Sequence, residues 1–241
     1  MTEPQLHEGA AAVTPNDPID PLKYEQLYEQ TRTRVMTKMI PVAITGTHAL
    51  DVGSGPGHYS RILAEKGWAV TAIDTDPSNI ELAKRYATST YLGDAISILE
   101  HLAPGRFELV LLLEIIEHMS KQDARSLLRG AFNSLKRGGI LLLSTPNRHS
   151  PAGLGGYYWG EKVRGWGRWT AGDSTHVHIY TSREIIALVR ASGFSVRNVT
   201  GYWYQGYMPL LGRWRLPIAV SHRWPLNRLG YKVILECVKR P

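Results

Sequence analysis

From residue 48 onward, apolar and polar positions switch between two periods. Short, nearly continuous apolar runs at 48–52, 68–74, 90–92, 107–113 and 140–144 read as strands, the longer ones buried on both faces. Between them, apolar positions recur every three or four residues, which predicts helices over 59–66, 76–86, 95–101 and 121–135. Asp76 stands as an N-cap with Pro77 at the first helical position, and Gly67 closes the helix before it. Gly138-Gly139 turns the chain into the fifth strand. A last helix over 182–192, capped by Thr181 or Ser182 and closed by Gly193, precedes two further strands at 194–200 and 232–238. This alternation predicts an α/β fold: a mostly parallel sheet with helices on both faces.

Three segments depart from that rhythm. Residues 1–20 read as a disordered tail, and 21–40 as a helix preceding the core, with Leu22, Leu27, Val35 and Met39 turned inward. Residues 146–180 and 201–230 are long, irregular and rich in aromatic and basic residues. The expectation is one domain over 21–241, with 21–40 as a lid and the two insertions as an aromatic, basic cap.

Composition narrows the setting. The chain has 241 residues and a hydrophobic fraction of 43%, enough for one ordinary core. Its single cysteine, Cys237, excludes an internal disulfide and a cysteine-rich zinc site. No basic-then-apolar leader opens the chain, and no run approaches the roughly 18 apolar residues of a spanning helix. A cytoplasmic enzyme is expected. The formal charge of +7 admits an anionic partner without naming one.

The strongest motif is Leu50-Asp51-Val52-Gly53-Ser54-Gly55-Pro56-Gly57, an apolar strand feeding a glycine-rich turn and then a helix. A dinucleotide loop needs a third glycine at position 58, where this chain has His58. Asp51 at the strand end suits a cationic or hydroxyl-rich ligand better than a pyrophosphate. The next strand ends at Asp74-Thr75, where an acid can accept from both hydroxyls of a ribose. The third ends at Gly93-Asp94-Ala95, where a carboxylate can accept from an exocyclic amine. Each acid alone is read as a cap or a solvated turn. Three in register after successive strands read as a nucleoside site.

With these elements the chain resembles class I S-adenosylmethionine (SAM)-dependent methyltransferases, over about residues 45–200. The glycine-rich loop, Asp74, Gly93-Asp94, Glu114-Ile115-Ile116-Glu117-His118 and Leu135-Lys136-Arg137-Gly138-Gly139 carry the resemblance. It implies a Rossmann-like sheet of seven strands in the order 3-2-1-4-5-7-6, with the last strand antiparallel. It places Asp51, Gly53, Ser54, Gly55 and Gly57 around the methionine part of SAM, Asp74 and Thr75 at the ribose, Asp94 and Ala95 at the adenine, and Glu114 near the sulfonium.

An oxygen acceptor needs a base or a metal, whereas an amine reacts from its neutral form. Glu114, Glu117 and His118 follow the fourth strand, and Thr175-His176-Val177-His178 precedes the last helix. The pattern is similar to ubiquinone-biosynthesis-type O-methyltransferases. It is similar also to small-RNA 2′-O-methyltransferases, whose comparable residues hold Mg2+ or Mn2+; Ser144-Thr145-Pro146-Asn147 fits both groups. It implies a metal at Glu114, Glu117, His118 and either His178 or His176. Otherwise His118, His176 or His178 acts as a base without metal, or the residues shape the pocket alone. His176 and His178, two apart on an extended segment, face one side. Candidate acceptor contacts are Tyr24, Tyr28, Tyr158, Trp159, Trp166 and Trp169, with Arg32 also able to reach the pocket. The expected acceptor is a small hydroxylated molecule: aromatic, quinone-like, lipid-linked or a natural product. Contact with a membrane surface is also expected, as is a monomer or homodimer. RNA 2′-O-methylation, small-amine N-methylation and a non-catalytic SAM-binding subunit are the alternatives.

Overall fold

A computed structural model describes residues 30, 32–165, 167–168, 170–171, 173–203 and 219–240. The expected tail, residues 21–29 of the expected lid, and 204–218 of the second insertion lie outside these. So do Tyr24, Tyr28, Trp166 and Trp169.

After a helix α1 over residues 32–39, the chain alternates as expected. It forms β1 (His48–Val52), α2 (His58–Glu65), β2 (Ala69–Asp74), α3 (Pro77–Ala83), β3 (Ser89–Leu92), α4 (Ala95–His101), β4 (Phe107–Leu113), α5 (Lys121–Ser134) and β5 (Leu135–Pro146). A short helix α6 (Pro151–Gly153) runs into a π-helical stretch, Leu154–Val163. Then come α7 (Ser182–Ala191), β6 (Phe194–Trp203), β7 (Ala219–Ser221) and β8 (Lys232–Lys239). The first insertion is therefore partly helical.

The sheet has eight strands in the order β3-β2-β1-β4-β5-β8-β6-β7. β1 through β5 pair in parallel, and β8 is antiparallel to both β5 and β6. This is the expected order with one strand added. The eighth arises because β6 runs on to Trp203, and Ala219–Ser221 pairs with that extension and covers its edge.

β4 shows why the central strands read as continuous apolar runs. Leu109 and Leu111 face α1 and α2, packing with Met36, Ile40, Ile62 and Leu63. Val110 and Leu112 face the other way, toward α5 and α7, with Leu127, Leu128, Ile185 and Val189. Both faces are core, so no polar position interrupts the strand. At α3, Asp76 accepts from the Ser78 amide at 2.8 Å, as its N-cap role requires. At α7, the Thr181 and Glu184 side chains form a reciprocal capping box.

Asn147, just past β5, joins three segments that wall the far end of the sheet. Its side-chain amide donates to the carbonyls of Arg228 (2.8 Å) and Gly230 (2.9 Å). Its side-chain oxygen accepts from the amides of His149 and Ser182, both at 3.1 Å. Asn147 is fully buried, so the alanine variant strands these backbone groups away from water. Asn147→Ala is expected to lower unfolding free energy by about 3 kcal/mol in urea titrations. A loss below about 1 kcal/mol would show that these bonds do not hold the wall.

Candidate functional site

The carboxyl ends of β1, β2, β4 and β5 open on one edge of the sheet. On the β1–β3 side, the chain turns sharply after Val52. Gly53 has φ +63°, and an added Cβ would lie 2.1 Å from Ile115 Cδ1, so any other residue would be strained and would displace Ile115. Gly55 has φ +52° and the opposite surroundings: its missing Cβ faces open space. The first glycine lets the loop pack on the sheet, and the second leaves room for a ligand against bare backbone. Ser54 is buried within the turn, and Gly57 precedes α2.

Asp51 is 2% exposed and accepts from Ser60 Oγ at 2.7 Å. Burial pushes its carboxyl up to about 6, against the Ser60 hydrogen bonds, and the charge of Asp74 pushes the same way. Asp74 accepts from the Gly55 amide at 2.8 Å and the Asp76 amide at 2.9 Å, locking the glycine loop to the end of β2. Thr75 follows, exposed. Asp94 caps α4 by accepting from Ser97 at 2.9 Å, with Ala95 as the first helical residue. Gly93 and Asp94 border an open cavity of about 450 Å3 with Tyr91, Leu92 and Ile98.

Beyond β4 two glutamates meet different fates. Glu114 sits at φ 60°, a left-handed conformation rare outside glycine and concentrated at functional sites. One of its carboxylate oxygens accepts from Ser144 Oγ at 2.7 Å, and the other takes the Lys232 ammonium. Burial pushes the Glu114 carboxyl up, but the Lys232 charge and hydrogen bond, Ser144 and the Arg32 charge together hold it below the ordinary range.

Glu117 is fully buried. Its Oε2 accepts from Thr145 Oγ1 at 3.0 Å, and its Oε1 is buried without a hydrogen-bond partner. Burial, then the neighbouring Glu114, push its carboxyl well above the ordinary range. His176 Nε2 lies 3.9 Å from the unpartnered oxygen. His176 Nδ1 donates to the Thr170 carbonyl at 2.7 Å, which leaves Nε2 with its lone pair. The ring of His118 stands 4.7 Å from that of His176. One ligand atom from each of Glu117, His118 and His176 lies within 4.8 Å of the others. Burial lowers the pKa of His176 and of His178, keeping both imidazoles neutral at neutral pH.

This grouping keeps Glu117, His118 and His176 of the expected set (Glu114, Glu117, His118 and either His178 or His176) and leaves out Glu114 and His178. Glu114 is set apart because Lys232 and Ser144 engage both its oxygens. His178 is set apart because its ring packs edge-on against Tyr180, at 4.5 Å. It does share a cavity of about 250 Å3 with His176, Arg148, Arg168 and Tyr157, and its Nε2 is buried without a partner. Tyr158 and Trp159 lie on the π-helical stretch, exposed. Ser144, Thr145 and Thr175 belong to the motifs quoted above without an assigned role, and Lys232, Thr170 and Asp173 join the site from outside those motifs. Only Asp173-x-Thr175 carries a local signal, as a turn former.

Comparison with known proteins identifies the family. A methyltransferase-domain family model matches residues 24–199. The ubiquinone biosynthesis O-methyltransferase of Paramagnetospirillum magneticum is 34% identical over 173 residues, covering 70% of this chain and 67% of its own. The protein of the same name from Methylobacterium sp. (strain 4-46) is 32% identical over 180 residues, covering 72% and 69%. Magnesium protoporphyrin IX methyltransferase from Synechocystis PCC 6803, solved with bound SAH, superposes with a TM-score of 0.61 at 18% identity, covering 94% of this chain and 90% of its own. The chain thus belongs to the methyltransferase-domain family and is a SAM-dependent methyltransferase.

Proposed function

We propose that the enzyme methylates a hydroxyl of a small aromatic or quinol-like acceptor, with a divalent ion held by Glu117, His118 and His176. The observation that carries this reading is the unpartnered, fully buried oxygen of Glu117, facing an imidazole lone pair. An isolated buried carboxylate is costly, and a cation at that point relieves it. Two relatives named for ubiquinone biosynthesis O-methylation support an oxygen acceptor of quinol type. With Glu114 set apart, the donor set is two imidazoles and one carboxylate. That set suits Mn2+, Fe2+ or Zn2+ better than Mg2+.

In this reading Asp51 and the glycine loop take the methionine end of SAM, Asp74 and Thr75 the ribose, and Asp94 and Ala95 the adenine. Glu114, neutralised by Lys232, lines the sulfonium end. The ion, when bound, supplies Lewis acidity that eases ionisation of an acceptor hydroxyl. His178 is the remaining base: it lines the same cavity as His176, is held neutral, and has an unpartnered Nε2 to take the acceptor proton. The acceptor oxygen then forms its bond to the methyl carbon as the carbon–sulfur bond breaks, and SAH leaves as a neutral thioether.

The acceptor side also fits a lipid-linked molecule. Leu154, Tyr158, Trp159 and Val163 are exposed, and spacings of four and five residues set them along one face of the wider turn of a π-helix. Lys162 and Arg164 stand beside that stripe, the pairing found at lipid headgroup boundaries. No helix among the described residues is long and apolar enough to cross a membrane.

The direct test is methyl transfer from labelled SAM to catechols and hydroquinones, lipid extract, amines and RNA, each with and without EDTA. Transfer to the phenolic or lipid fraction, abolished by EDTA and restored by Mn2+, is expected. Transfer confined to RNA or amines, or unaffected by EDTA, would overturn the reading. Glu117→Gln should lower kcat roughly 100-fold or more while SAM affinity stays within about twofold.

Asp51 gives a second prediction. The free enzyme protonates this carboxyl below about pH 6, whereas cationic SAM favours the ionised form. SAM affinity should therefore fall as pH drops through 6, approaching about tenfold per unit below it. In Asp51→Asn, calorimetric titration between pH 5 and 7.5 should find weaker binding at neutral pH and a flat profile. An unchanged slope in the variant would remove Asp51 from the cofactor's charge balance.

A further inference from the structure

His118 is reached by one side chain that the proposed chemistry does not use. Thr175 Oγ1 lies 2.9 Å from His118 Nδ1 and 2.6 Å from Asp173 Oδ1. Asp173 Oδ1 also accepts from the Thr175 amide at 2.8 Å. A hydroxyl has one proton, and an ionised carboxylate only accepts. The Thr175 proton therefore points at Asp173, and toward His118 the hydroxyl oxygen can only accept. His118 Nδ1 must carry its proton, which leaves Nε2 as the nitrogen with a free lone pair. His176 reaches the same tautomer by a different route, through the Thr170 carbonyl.

We infer that Thr175 and Asp173 are positioning residues that fix the tautomer and ring orientation of His118, so that its Nε2 works beside Glu117 and His176. The inference rests on the proposed role of His118 at the acceptor side, but the relay itself does not depend on whether that role is ligand or base. Partners of this kind set which nitrogen of a working histidine is available, and their loss typically weakens a metal site by 10–100-fold. A purely local turn explains the Asp173–Thr175 backbone bond. It does not require a threonine hydroxyl, nor its contact with a histidine 57 residues away.

The test compares wild type with Thr175→Val, Thr175→Ser and Asp173→Ala, all as full chains with SAH bound. Long-range 15N–1H spectra of the metal-free proteins report the His118 tautomer, with His118→Gln identifying its signals. Wild type and Thr175→Ser should show Nδ1–H. Thr175→Val should lose that bias. Asp173→Ala should move His118 toward Nε2–H even though Thr175 is intact, because its hydroxyl proton is released toward the ring. Mn2+ affinity and kcat should fall about tenfold in Thr175→Val, with KM for SAM unchanged and Thr175→Ser restoring both. An Nε2–H signal in wild type, or an unchanged tautomer in both Thr175→Val and Asp173→Ala, would overturn the inference. If wild type binds no Mn2+, the metal reading fails, and the tautomer spectra still decide the relay.

Discussion

The proposed acceptor end of this enzyme centres on a carboxylate that the fold buries and only half satisfies. Glu117 has no exposed surface, one hydrogen bond from Thr145, and one oxygen with no partner. Charge left there unpaired is costly, so the surroundings must either keep the group protonated or deliver a cation. The neighbours fit the second outcome. One imidazole lone pair faces the bare oxygen, and a second ring packs against the first. Even the backbone carbonyl of Glu117 is used: it accepts from the amides of Val177 and His178, which brings the histidine segment over β4's end.

In the proposed reading the same sheet edge carries two sites, each for a cation. At β1 and β2, the carboxylates of Asp51 and Asp74 lie beside the glycine loop, where the proposed reading puts a cationic cofactor. At β4 and β5, Lys232 pairs with Glu114, and in the proposed reading Glu117, with its bare oxygen, draws a second cation. Without Lys232, the charge of Glu114 would stand uncompensated beside the buried Glu117. In that reading the ion pair gives the two glutamates of a single motif different functions. Asn147 makes that separation hold, because it ties the chain before β8, and so Lys232, to the end of β5 and the start of α7.

Much of this was legible in the sequence, for a physical reason. β4 and β5 are buried on both faces and β1 leads into a glycine turn, so local patterns match the global fold. Asp76, Thr181 and Glu184 act through neighbours a few residues away, and such caps can be read directly. The unreadable parts depend on contacts distant along the chain. Lys232 reaches Glu114 across 118 residues, and no local pattern marks a lysine that opens a strand as the partner of a distant glutamate. The choice between His176 and His178 was equally hidden. Their spacing puts them on one side of the chain, and both do line one cavity. Which of them meets Glu117 is decided by the loop that brings the Thr170 carbonyl to His176. The eighth strand is not legible in the sequence because a three-residue edge strand has too few positions to show a period.

The most direct measurement is anomalous diffraction from crystals of the SAH complex soaked in Mn2+. The account predicts one strong peak bonded to Glu117, His118 and His176, with Glu114 still paired to Lys232. A peak bonded to Glu114 or His178 in place of His176, or no peak in an enzyme that remains active in EDTA, would contradict it.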